Sequence, residues 1–401
     1  MKIPEFFGRD NYLQNPIMRR FLKDHKIKFV ENRVDYIKSI EDFASQDDNN
    51  EKEVREWLLK VVKEGSKEIC YRKIHGVSEW HRNPGLVEAK IVEVYPDCPM
   101  ENVLNYKNTD KKTMIEYHIF TNDAGWAVKI EFVFSKLFLY GTAGTLGDKT
   151  AFPVFIEVYL DEGFIISRAK AKSTLYEYDE KNSYLSSDTN IDTMKYAVET
   201  IDDIIKLFGF ETEADYRKVR SENSQMLYRI YEKYSFTPAD VEDRVKSQKD
   251  LTKAFVDKFF ADLHLNVRNK EKAILDANIL VEKFVSINGD NESIFKEDRP
   301  AYLIKVTADD ELELTRIDTA SNKKVPLQCT ENFFDSKKSV VKSKKCNRLN
   351  LIFKRKDERY LRDNPLVVQF GTHKNYGYVK TIQYAEEDDI QNVLQAIFEN
   401  Y

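Results

Sequence analysis

Cysteine is scarce in this chain. Cys70, Cys98, Cys329 and Cys346 stand far apart, and no two have CxxC spacing. At 401 residues the protein needs no disulfide scaffold, and in a reducing compartment these four are expected to be thiols. Cys70, His75, His81 and Cys98 could in principle supply four zinc ligands, but only Cys70 and His75 come near the spacing of a structural site. Long apolar runs are missing as well. None approaches the roughly 18 residues that a membrane span requires, and residues 1–8 (MKIPEFFG) lack the apolar core of a signal peptide. An excess of one charge is also absent, because the net charge of −5 is small for this length and names no partner. No repeat at solenoid or propeller spacing occurs, and no long low-complexity tract. These absences predict a cytoplasmic protein without membrane, disulfide scaffold or metal centre.

What is present is ordinary globular composition, 42% apolar and 12% aromatic. The charged fraction of 33% exceeds the usual ~25% and indicates a densely ionic surface rather than disorder. Abundant Lys, Asn and Ile suggest an AT-rich bacterial or viral genome, and with it a place in antiviral defence.

The chain is organised around residues 115–179. Runs rich in β-branched and aromatic residues (115–120, 126–134, 154–160 and 164–172) are separated by turn signals at 122–125 and 161–163, which predicts successive hairpins. Helical spacing precedes them, over 16–44 and 51–64, with strands predicted over 68–74 and 86–94. Apolar positions from Met194 to Phe208 recur at helical spacing and end at Gly209. From 211 to 286 the period stays helical, and Phe255, Phe259 and Leu263 form one apolar face. After Pro300 strands return, and 386–400 closes the chain as a helix. The expected class is α+β: an N-terminal sheet domain (1–210), a helical connector (211–286) and a smaller C-terminal α+β domain (287–401). The connector is a candidate surface for a protein partner or a homo-oligomer.

No motif with defined chemistry survives its context. The glycine-rich loop 141–150 ends in Lys149-Thr150, like a phosphate-binding loop, but Asp148 interrupts the motif and a strand pattern follows where a helix must begin. Glu88 and Lys90 form a Glu-x-Lys pair in a predicted strand, as in PD-(D/E)xK nucleases, where two carboxylates hold Mg²⁺ beside the lysine. No aspartate stands upstream to complete such a site, so the metal-dependent nuclease remains the alternative reading, with Glu88 and Lys90 its catalytic candidates and Mg²⁺ its cofactor.

The preferred reading is electrostatic. Strand alternation puts Arg168, Lys170 and Lys172 on one face, with Glu157 on the neighbouring strand as the competing explanation. Residues 321–362 hold nine lysines and four arginines against four acids, a local charge of +9 in a chain whose net charge is −5. Phe333, Phe334, Phe353 and Tyr360 are interleaved, and cations beside aromatics suit a nucleic-acid strand. Residues 335–345 are expected to form a solvated loop. The sequence therefore predicts binding of DNA or RNA backbone by Arg168, Lys170, Lys172, Lys337, Lys338, Lys342, Lys344, Lys345, Arg348, Lys354 and Arg355, without base readout.

Overall fold

The computed structural model describes all residues except 5–6, 8–11, 172–173, 179–183, 265–269, 289–291, 298, 311–314, 322–324 and 356–364. It is α+β, as expected, and its eleven described strands are largely antiparallel. They are β1 (Lys67–Lys73), β2 (Thr113–Thr121), β3 (Ala127–Tyr140), β4 (Asp148–Tyr159), β5 (Phe164–Lys170), β6 (Leu175–Glu177), β7 (Ala301–Asp310), β8 (Thr315–Ala320), β9 (Arg348–Phe353), β10 (Leu366–Thr372) and β11 (Gly377–Thr381). By compactness the chain divides into unit 1, Met1–Val219 with His373–Asn392, and unit 2, Arg220–Arg355 with Pro365–Thr372 and Val393–Tyr401.

Unit 1 opens with α1 (Asn15–Asp24), α2 (Arg33–Ala44) and α3 (Asp48–Lys63). Their starts are chemically marked: Pro16 lies in the first turn of α1, the Asn32 side chain accepts from the Asp35 amide, and Asp47 accepts from the Asn50 amide. After β1 come a single turn, α4 (Glu79–Arg82), and then α5 (Pro84–Val94). The strand predicted over 86–94 is thus a helix. The Asn83 side chain accepts from the Gly85 and Leu86 amides while Pro84 occupies the first helical position, and this start signal overrides the β-branched content that follows. The segment between β3 and β4 connects two strands, and no helix begins there. Helix α6 (Thr193–Phe208) ends on Gly209, whose φ of 66° is the left-handed conformation glycine adopts without penalty.

The strand order in unit 1 is β2-β3-β4-β5-β1-β11, with β6 paired to β3. Both faces of this sheet are covered. On one, Phe132, Ile156, Ile165 and Ala169 share a core with Ala197, Ile201 and Phe208 of α6. On the other, Val133 and Phe155 share a core with Phe21, Ile40, Val54 and Leu58 of α1–α3. Burying each of the Val, Leu, Ile and Phe side chains among these contributes about 1.5–3 kcal/mol. Double coverage also explains why β4 is buried at every position from Thr150 to Tyr159 instead of alternating.

In unit 2 the strand order is β10-β9-β7-β8. Four helices make up most of the described part of 216–287: α7 (Tyr216–Tyr234), α8 (Ala239–Ser247), α9 (Lys249–Asp262) and α10 (Lys270–Ile287). Then come α11 (Glu292–Lys296) and α12 (Glu331–Ser343); α13 (Glu387–Phe398), which closes the chain, begins in unit 1 and ends in unit 2. The loop predicted over 335–345 is mostly helix, because α12 buries Phe333, Phe334 and Val340 and packs on β7 and β8. Among the described residues, no helix is long and apolar enough to cross a membrane.

Candidate nucleic-acid interface

The strand that carries Arg168 and Lys170 lies inside unit 1. Alternation sends Ile165, Ser167 and Ala169 toward α6 and turns Ile166, Arg168 and Lys170 the opposite way, beneath α1–α3. The expected outward stripe is therefore an inward one, and Arg168 is 0% exposed. Its Nη2 lies 2.7 Å from Glu157 Oε2 on β4, and its Nη1 lies 2.7 Å from Glu387 Oε2. Lys63 Nζ bridges Glu131 Oε1 at 2.8 Å and Glu157 Oε1 at 3.1 Å, and the Tyr159 hydroxyl donates to Glu157 Oε2 at 3.0 Å. Burial by itself would raise the Glu157 pKa, but Arg168, Lys63 and Lys129 together hold it well below the usual carboxylate range. Burial likewise opposes the Arg168 charge, and Glu157 and Glu387 more than compensate.

Lys170 is buried with its Nζ 4.1 Å from the centre of the Tyr12 ring. Its pairing partner on β1, Lys67, donates to the Val62 carbonyl at 2.6 Å. Burial, then the nearby charges of Lys170 and Arg168, push the Lys67 amine far below its ordinary value. Lys172 lies outside the described residues. The role of this network is to hold strands and helix ends together, and Arg168 and Lys170 do not face a solvent-borne phosphate.

Glu88 and Lys90 sit on α5, not on a strand. Two residues apart on a helix, they point about 200° away from each other, so they do not converge as a Glu-x-Lys strand pair would. Lys90 pairs with Glu93 at 2.9 Å, and Glu88 accepts from the Tyr117 hydroxyl at 3.4 Å. Among the described residues no three of His, Cys, Asp and Glu gather as a metal site would require. Cys70 is buried, and His81 is engaged with Ser78 and the Phe208 carbonyl.

The basic segment of unit 2 separates into engaged and available cations. Lys337 binds Glu282 at 2.8 Å and Lys338 binds Asp276 at 2.8 Å, both tying α12 to α10. Lys342, Lys344 and Arg348 run from the last turn of α12 into β9, and Lys354 follows that strand. Among the described residues these four side chains have neither ion pair nor hydrogen bond. Lys342, Lys344 and Lys354 are exposed, while Lys345, Arg348 and Arg355 are half-buried. The carbonyl end of α12 favours nearby cations, but a helix terminus carries only about half an elementary charge, too little to balance this group. Of the interleaved aromatics, Phe333, Phe334 and Phe353 are buried and present no stacking platform, and Tyr360 lies outside the described residues.

Sequence patterning missed one concavity. A cavity of about 210 Å³ in unit 1 is lined by α1, α3 and residues 384–386, including Arg20, His25, Glu53, Trp57, Glu64 and Tyr384. Glu64 accepts from the Tyr384 hydroxyl and from the Glu387 amide, both at 2.9 Å, and burial raises its pKa. Asp24, Glu53, Glu64 and Glu386 outnumber Arg20 and Lys60 in this lining, which disfavours a phosphate. Its residues come from two distant parts of the sequence, and no local pattern joins them. Compared with protein-family models, curated proteins and solved structures, the chain matches none.

Proposed function

We propose that the protein binds nucleic acid through backbone phosphates at the segment 342–348 of unit 2, with Lys354 extending the contact. One observation carries this reading: Lys342, Lys344, Arg348 and Lys354 have no partner among the described residues, whereas Lys337 and Lys338 are each held by an acid. Cations without an internal acid are what an anionic polymer would neutralise. With Phe333, Phe334 and Phe353 buried, the contact is to phosphates and not to bases, so it reads neither sequence nor base type. A cytoplasmic setting suits a chain whose four cysteines form no disulfide.

The test is gel-shift titration of a labelled duplex and a labelled single strand with the wild type and with Lys342→Gln/Lys344→Gln/Arg348→Gln. Binding that the triple variant loses supports the reading. A wild type that shifts neither probe at low salt refutes it.

A further inference from the structure

Helix α9 exposes an apolar stripe that unit 2 itself leaves uncovered. Leu251, Phe255, Phe259 and Leu263 recur every four residues and are 67%, 67%, 49% and 50% exposed. The adjoining face of the helix is anchored through buried Thr252 and Val256. The Phe255 and Phe259 rings stack with centroids 6.1 Å apart, forming one continuous surface. The adjoining helix α10 exposes Leu280 and Phe284 on one face, with Leu275 at least about 140° away from them. At 150–250 Å² for a whole aromatic side chain and somewhat less for leucine, the α9 stripe with Leu280 and Phe284 presents roughly 600 Å² of surface to solvent. The largest apolar patch on a typical monomer is about 300–600 Å², whereas each partner in a standard interface buries about 800 Å². The exposed area is thus near what a stable dimer needs.

The order of the stripe identifies the occupant. Read from either end it is Leu-Phe-Phe-Leu, so a two-fold axis that runs two copies of α9 antiparallel sets Phe255 of one against Phe259 of the other. Each contact is then made twice, as an isologous interface requires. A row spaced by four is also the ridge that interdigitates with its own kind, at a crossing of about −50°. The charges of α9 balance, with Lys249, Lys253 and Lys258 against Asp250, Asp257 and Asp262, so the face selects no partner by net charge. We infer that this stripe seats α9 of a second copy, antiparallel and two-fold symmetric. The inference is independent of the nucleic-acid reading.

The full chain, measured by size exclusion with light scattering over a concentration series, is expected at twice its 47.1 kDa monomer mass. Phe255→Glu is expected at the monomer mass, with circular dichroism confirming its fold. Phe255→Glu/Phe259→Lys places opposite charges across the antiparallel pair and should associate more tightly than Phe255→Glu/Phe259→Glu. A wild type that stays monomeric at every concentration overturns the inference. A dimeric Phe255→Glu removes the contact from α9, and the reverse ranking of the two double variants overturns the antiparallel pairing.

Discussion

Arg168 and Glu157 meet across β5 and β4 with Nη2 2.7 Å from Oε2, both side chains at 0% exposure. Glu387 holds the other end of the same guanidinium and so ties residues far apart in sequence to the middle of the sheet. Such a pair is costly to assemble and costlier to break, because removing one partner strands a buried charge.

Replacing Arg168 with methionine should therefore destabilise the protein by about 3–5 kcal/mol. Arg168→Met/Glu157→Leu should cost much less than the two single changes added together, since no orphan charge remains. Urea unfolding of the four species in a double-mutant cycle measures the coupling. Additive costs would mean that the pair is not a unit.

The same network predicts acid sensitivity. Glu157 is held below the usual carboxylate range by its cations even though burial pulls the other way. An acid with a depressed folded pKa stabilises fully above the unfolded value of about 4.3, and this stability is lost as pH falls through the lower folded value. The melting temperature of the wild type should drop across that acidic window, and Glu157→Gln, less stable at neutral pH, should drop less. Parallel wild-type and variant curves would count against the assignment.

Gly377 faces Tyr71 across β11 and β1, and a Cβ there would run into the tyrosine ring. Gly377→Ala should cost about 1–3 kcal/mol through overpacking. In a Tyr71→Ala background, which empties that space, most of the penalty should vanish. Thermal melts of the four proteins test this, and an equal penalty in both backgrounds would contradict it.

Local signals led to the right elements where they were strong. The β3–β4 hairpin followed from aromatic and β-branched runs, and α6 followed from its apolar spacing with Gly209 at the end. Residues 86–94 misled because their composition suits a strand while Asn83 and Pro84 start a helix. Alternation correctly grouped Arg168 with Lys170, but which face of a sheet is covered depends on α1–α3, far away in sequence. Likewise the acids that engage Lys337 and Lys338 lie on α10, and the burial of Phe333 and Phe334 depends on α12 packing over β7 and β8. The return of 373–392 to unit 1, with β11 beside β1, has no local marker.

The available cations at 342–348 are tested most directly by the salt dependence of duplex binding, read by fluorescence anisotropy. Each phosphate contact contributes about 0.9 to the slope of log affinity against log salt on duplex DNA. Wild-type affinity should fall steeply with salt, and Lys342→Gln/Lys344→Gln/Arg348→Gln should flatten the slope by up to roughly 2.7 without altering sequence preference. Binding whose slope is the same in wild type and triple variant would contradict the account.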